Sequence, residues 1–185
     1  MVDAVEQIAD GGAAMVMLGI EGADVVSAQP DRLVELHRLG TLIDLAHADA
    51  ATTLAVCDQT CVPVASSHTG ASAVQEFPRY EEARAIAATG GLIGLWPMGF
   101  RRLGMRGVDD FARHASYLAE LVGPRHLCIG TDMNGIPGYA KGFDGPTGFP
   151  MLVEALRHTG FDTAEVTAIL GGNAQRVLKE ALPGA

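Results

Sequence analysis

Cysteine is scarce, basic residues are few and long apolar runs are missing, and each shortage narrows the reading. Three cysteines in 185 residues, Cys57, Cys61 and Cys128, do not make a disulfide framework. Cys57 and Cys61 lack the extra cysteine or histidine partners at short spacing that a zinc knuckle needs, so three reduced, mostly buried thiols are expected. Thirteen basic against twenty-two acidic residues leave a formal charge of −9, which repels phosphate backbones and argues against nucleic-acid binding. No apolar run approaches the roughly 18 residues of a membrane span. The N-terminal MVDAVEQIADGG has neither the basic start nor the apolar stretch of a signal peptide. A soluble, cytoplasmic protein that binds no membrane is expected. Nucleophile elbow, phosphate loop and Rossmann glycine fingerprint are also absent.

What is present is a core-forming composition, 48% hydrophobic, in a length that suits one domain over 1–185. Short apolar runs at 15–21, 41–47, 62–68, 90–96 and 126–132 read as buried strands. Between them lie segments of helical periodicity, drawn at 30–39, 49–57, 79–89, 109–122, 150–159, 163–170 and 173–182. Gly40, Gly90, Gly123, Gly160 and Gly171 follow the periodic runs and are expected to end helices in the left-handed conformation. Asp162 is placed to cap the helix that starts at Thr163. This alternation marks an α/β fold of parallel β/α units. Five such strands cannot close an eight-stranded barrel, so the sheet is open or completed from elsewhere. The glycine-rich and proline-rich stretches 98–107 and 134–148 are too long for ordinary connections and read as loops over the strand ends.

Four of the runs end in a polar residue: MVMLGIE in Glu21, TLIDLAH in His47, VPVASSH in His68 and HLCIGTD in Asp132. In a parallel sheet the C-terminal strand ends open on one face, so these side chains converge although far apart in sequence. Two imidazoles and two carboxylates on one face suggest a metal-dependent hydrolase. His47 and His68 are suited to hold one divalent ion, and Glu21 to complete or bridge the centre. Asp132 is suited to proton transfer, or alternatively to an Asx-type turn. Arg79, in a Phe-Pro-Arg-Tyr stretch, would pair with a substrate carboxylate or simply be solvated. Asp49 forms a His-x-Asp pair with His47, but N-capping the following helix is its expected job. His37, His114, His126 and His158 are read as surface or packing residues.

The pieces LGIEG, LIDLAHADAAT, PVASSHTGASAV, GGLIGLW, HASYLAELVGPRHLCIGTDMNG and LGGNAQRVLKE, in this order, resemble the membrane (renal) dipeptidase family of zinc metallopeptidases. The resemblance runs from about Gly11 to Leu182. It implies a TIM-type (β/α)8 barrel, here incomplete with about five to six strands, and hydrolysis of the peptide bond of dipeptides at a two-zinc site. By position, Glu21 resembles the bridging carboxylate, and His47 and His68 the histidines on the second zinc. Asp132 then resembles the acid/base aspartate beside the substrate, and Arg79 the arginine that holds the substrate carboxylate. The family's His-x-Asp strand, which ligates its first zinc, would precede this chain. A strand bearing a polarising histidine is missing between Gly40 and Thr41. The resemblance therefore implies a shortened chain with one zinc on Glu21, His47 and His68, two zincs belonging to the complete family site. The rival readings are a catalytically impaired remnant or binding protein, and a mononuclear amidohydrolase acting on other small amides or lactams. Open strand edges lead to the expectation of a homo-oligomer.

Overall fold

The apolar strand segments and the amphipathic segments between them assemble into one layered unit in the computed structural model, which describes residues 19–22, 30–69, 80–100 and 103–181. In chain order the elements are β1 (Gly19–Glu21), α1 (Pro30–Arg38), β2 (Leu42–Asp44), α2 (Ala50–Gln59), β3 (Ala65–Thr69), α3 (Tyr80–Ala88) and β4 (Leu92–Leu95). A small hairpin, β5 (Gly99–Phe100) and β6 (Leu103–Gly104), comes next. The chain ends with α4 (Val108–Val122), β7 (Leu127–Ile129), α5 (Phe149–His158), α6 (Thr163–Thr167) and α7 (Asn173–Ala181). Five strands pair in parallel in the order β1-β2-β3-β4-β7. That is the open, incomplete β/α array expected from the strand count. β1 and β2 pair directly, with no strand between them among the described residues.

Side-chain alternation divides the sheet into two faces. Ile43, Leu45, Val64, Ile93, Leu95 and Leu127 are buried in the main core with Phe111, Leu118, Leu152 and Leu156 from α4 and α5. On the other face Ala65 and Leu92 pack with Val177 and Ala181 of α7, flanked by Leu42 and Cys128.

Helix ends follow their residues. Asp49 caps α2, its carboxylate accepting the Thr52 N–H at 2.7 Å. Asp162 and Glu165 form a reciprocal capping box on α6. Gly40, Gly90, Gly123 and Gly160 are left-handed as expected, but Gly171 is not: its φ is 179°. The break expected there stands, since Gly171 has non-helical backbone and a kink at it separates α6 from α7; only its left-handed conformation is corrected. Cys61 is exposed, against the expectation of buried thiols, while Cys57 and Cys128 are half-buried.

Both long loops leave the C-terminal ends of strands, one after β4 and one after β7, and they clasp each other. Met98 bridges Tyr139 and Gly107 bridges Lys141. Backbone hydrogen bonds from Gly99 to Gly138 and from Ala140 to Pro97 close the contact.

Candidate metal centre

Continuing a strand keeps its alternation, and alternation would send two of the four polar residues the wrong way. His47 has the parity of Ile43 and Leu45, and His68 that of Val64 and Ser66, all directed away from the face that carries Asp44 and Ala65. The fold redirects each by breaking regularity. β2 stops at Asp44, and His47 lies three residues further on in a turn with φ 63°. β3 keeps His68, but its register with β4 shifts between Ser66 and Thr69, a bulge of the kind that re-aims side chains beside functional sites. Asp132 follows β7 by three residues with φ 46°. Glu21 closes β1. The expectation that every strand runs to its polar residue is therefore corrected for His47 and Asp132. Left-handed backbone is rare for such residues, and among described non-glycine residues only Asn134 shares it.

Three of the four donors come together. His47 Nε2 and His68 Nε2 are 2.9 Å apart, and His47 Nε2 is 3.4 Å from Glu21 Oε1. One ligand atom from each of Glu21, His47 and His68 lies within 4.8 Å of the others. Two imidazole lone pairs facing each other at 2.9 Å repel unless a proton or a cation lies between them. Bonds of about 2.0–2.1 Å in a tetrahedron separate neighbouring ligand atoms by about 3.3 Å, and the two observed spacings bracket that distance. The N, N, O donor set and these two spacings therefore fit a divalent ion such as zinc, while the remaining pair, His68 and Glu21, lies within 4.8 Å and has to stand within about 4 Å to share it. Asp132 borders the group, its Oδ2 3.9 Å from His68 Nε2.

The surroundings are uneven. The His68 side chain is 7% exposed, whereas His47 and Glu21 are 59% and 54% exposed, so one wall is solid and the other open. Ser67 Oγ lies 2.9 Å from His68 Nδ1. With the ring proton on Nδ1, the hydroxyl oxygen accepts it and Nε2 keeps its lone pair, the arrangement common to metal-binding histidines. Trp96, directly after β4, packs edge-on against His68 at 5.0 Å and His47 at 6.4 Å between ring centroids. Its indole N–H is buried and has no hydrogen-bond partner. Asp44 ends β2 and accepts the N–H groups of Ala46 and Ser67. Trp96 and Asp44 were not singled out from the sequence. Trp96 holds the same strand-end position as the polar residues, and Asp44 stands at the last strand residue before a turn.

Arg79 lies outside the described residues. Asp49 is committed to its cap, and the Thr52 N–H holds its carboxyl below the ordinary value. It therefore does not join His47 as a second ligand.

A sequence model described as membrane dipeptidase, peptidase family M19, matches residues 31–183. Dipeptidase aclJ of Aspergillus oryzae is 29% identical over 153 residues, covering 79% of this chain and 36% of that protein. Dipeptidase tcpJ of Claviceps purpurea is 28% identical, covering 81% and 37%. The chain thus spans little more than a third of the length of these curated relatives. Among solved structures, a metallopeptidase from Rhodobacter sphaeroides, liganded with a phosphinate mimic of the dipeptide L-Ala-D-Ala, superposes with a TM-score of 0.74. It is 25% identical, and the match covers 83% of this chain and 46% of that one. An amidohydrolase from Pseudomonas aeruginosa has a TM-score of 0.77 at 23% identity, covering 98% and 68%, and shares the fold.

Proposed function

Since the chain belongs to the membrane dipeptidase family of metallopeptidases, we propose that it is a zinc-dependent hydrolase cleaving the peptide bond of dipeptides, with Glu21, His47 and His68 holding the metal. The observation that carries this reading is the convergence of those three donor groups, two of them brought round by a left-handed turn and a bulge. When bound, the ion supplies Lewis-acid polarisation of the scissile carbonyl and brings the ionisation of water toward neutral pH. One zinc is the count in this reading, since three protein ligands with an open position make a catalytic set.

The chain's own groups do the rest. Ser67 and Trp96 fix the His68 ring, one by a hydrogen bond at Nδ1 and one by edge-on packing. Asp132, on the rim beside His68, takes the proton from the attacking water and returns it to the nitrogen that leaves as the C–N bond breaks. Arg79 is assigned the substrate's free carboxylate on the family resemblance, which restricts cleavage to very short peptides. The exposed sides of His47 and Glu21 leave the approach to the carbonyl open. The reading includes a cytoplasmic setting, supported by three unpaired thiols, and a homodimer, argued below from the sheet edges.

The test is zinc titration of the metal-free chain together with hydrolysis of L-Ala-D-Ala. About one equivalent of zinc should bind, and His68→Ala should lose both that equivalent and at least about a hundredfold in hydrolysis while remaining folded by circular dichroism. A chain that binds no zinc and cleaves no dipeptide is instead the impaired remnant.

A further inference from the structure

We propose that Asp44 is the positioning residue of the metal centre: a single carboxylate sets the separation of the two imidazoles by holding the backbone N–H directly ahead of each. This rests on the reading of Glu21, His47 and His68 as the ligands. Asp44 Oδ1 accepts the Ala46 N–H at 3.0 Å and the Ser67 N–H at 2.8 Å. Ala46 immediately precedes His47, and Ser67 immediately precedes His68. One oxygen atom thereby ties together the two segments that carry the imidazoles, 21 residues apart in sequence.

Each bond replaces something the backbone lacks. The paired register of β2 with β3 is confined to Asp44 and Ala65, so beyond it the Ser67 N–H is taken by a side chain instead of a strand neighbour. The bond to Ala46 is an Asx-type turn, which fixes the chain just before His47 enters its left-handed conformation. A histidine at φ 63° persists only where neighbours over-determine it. The same Ser67 whose N–H is held also meets His68 Nδ1 through its hydroxyl, so fixing its backbone fixes the hydrogen-bond partner of the ring. Loss of the shared acceptor would let the two Nε2 atoms drift apart, and metal affinity is sensitive to such supporting bonds by about 10- to 100-fold.

Two substitutions separate position from charge. Asp44→Asn keeps a carbonyl oxygen where Oδ1 stands and discards the negative charge. Asp44→Glu keeps the charge and moves the acceptor by one methylene. Trp96 is the chain's single tryptophan and lies against both imidazoles, so its fluorescence reads zinc binding directly, without any assay of turnover. The expected result is zinc affinity within about threefold of wild type for Asp44→Asn and about 10- to 100-fold weaker for Asp44→Glu. In the metal-free protein, the amide protons of Ala46 and Ser67 should stay protected from exchange in Asp44→Asn and lose protection in Asp44→Glu. The reverse order of affinities would make Asp44 an electrostatic contributor and overturn the inference, as would equal affinities in both variants. Wild-type protein that binds no zinc overturns the metal reading and this inference with it. If zinc binds but the amide and affinity orders fail, the inference alone falls.

Discussion

His114, in α4, is buried and neither ring nitrogen has a hydrogen-bond partner, so the fold holds an imidazole that water would solvate far better. Burial lowers its pKa from the ordinary 6.5 to about 4. Between those values the unfolded chain binds the extra proton and the native chain does not, so stability rises with pH. This contribution is whole above pH 6.5 and is lost as pH falls toward 4. Between about pH 7.5 and pH 5 the group should remove about 2 kcal/mol of stability. Urea unfolding at the two pH values measures it, and His114→Leu should flatten the dependence by that amount. An unchanged slope in the variant would place the charge uptake elsewhere. Residue identity also carried much of the candidate site: Glu21, His47, His68 and Asp132 were legible because each closes an apolar run. Asp44 was not, because the N–H of Ser67 reaches it only through the pairing of β2 with β3.

At the scale of elements, the bulge in β3 is accommodated by missing side chains on two neighbours. A Cβ at Gly94 in β4, or at Gly130 just past β7, would collide with the Ser67 carbonyl oxygen. Backbone cannot yield as a flexible side chain would, so Gly94→Ala and Gly130→Ala should each destabilise the fold by about 1–3 kcal/mol. Because His68 follows Ser67, both should also weaken zinc binding, read by urea midpoint and by tryptophan fluorescence titration. Alanine variants with wild-type midpoint and affinity would show that the bulge is not held this way. The helices were readable from apolar period and caps, as Asp49 and Asp162 demonstrate. The strand ends were not. A turn and a bulge deflect the chain exactly where polar and apolar alternation stops being informative, since one inserted or left-handed residue reverses which face a side chain meets.

For the whole molecule, the sheet formed by the described residues is open. Among the described strands β1 has one neighbour, β2, and β7 has one, β4. Unpaired strand edges invite pairing, so the protein is expected to form a homodimer, and light scattering at micromolar concentration should give twice the protomer mass. A monomer there would mean that the edges are covered within the chain. The C-terminal GGNAQRVL stretch works at the opposite end of the sheet from the metal centre. The Asn173 side chain donates to the carbonyls of Pro124 and Leu127, and Arg176 to those of Gly90 and Arg125. It therefore clamps the starts of β4 and β7, the end of such a sheet associated with stability.

Pattern alone determined the alternation of strands and helices, the parallel α/β class and the polar residues that mark the candidate site, because hydrophobic period and strand-end position are local properties of the chain. Tertiary structure decided which way those residues face. The left-handed turn at His47, the shift in β3 and the shared oxygen of Asp44 depend on contacts between segments distant in sequence, and only packing brings them within hydrogen-bond reach.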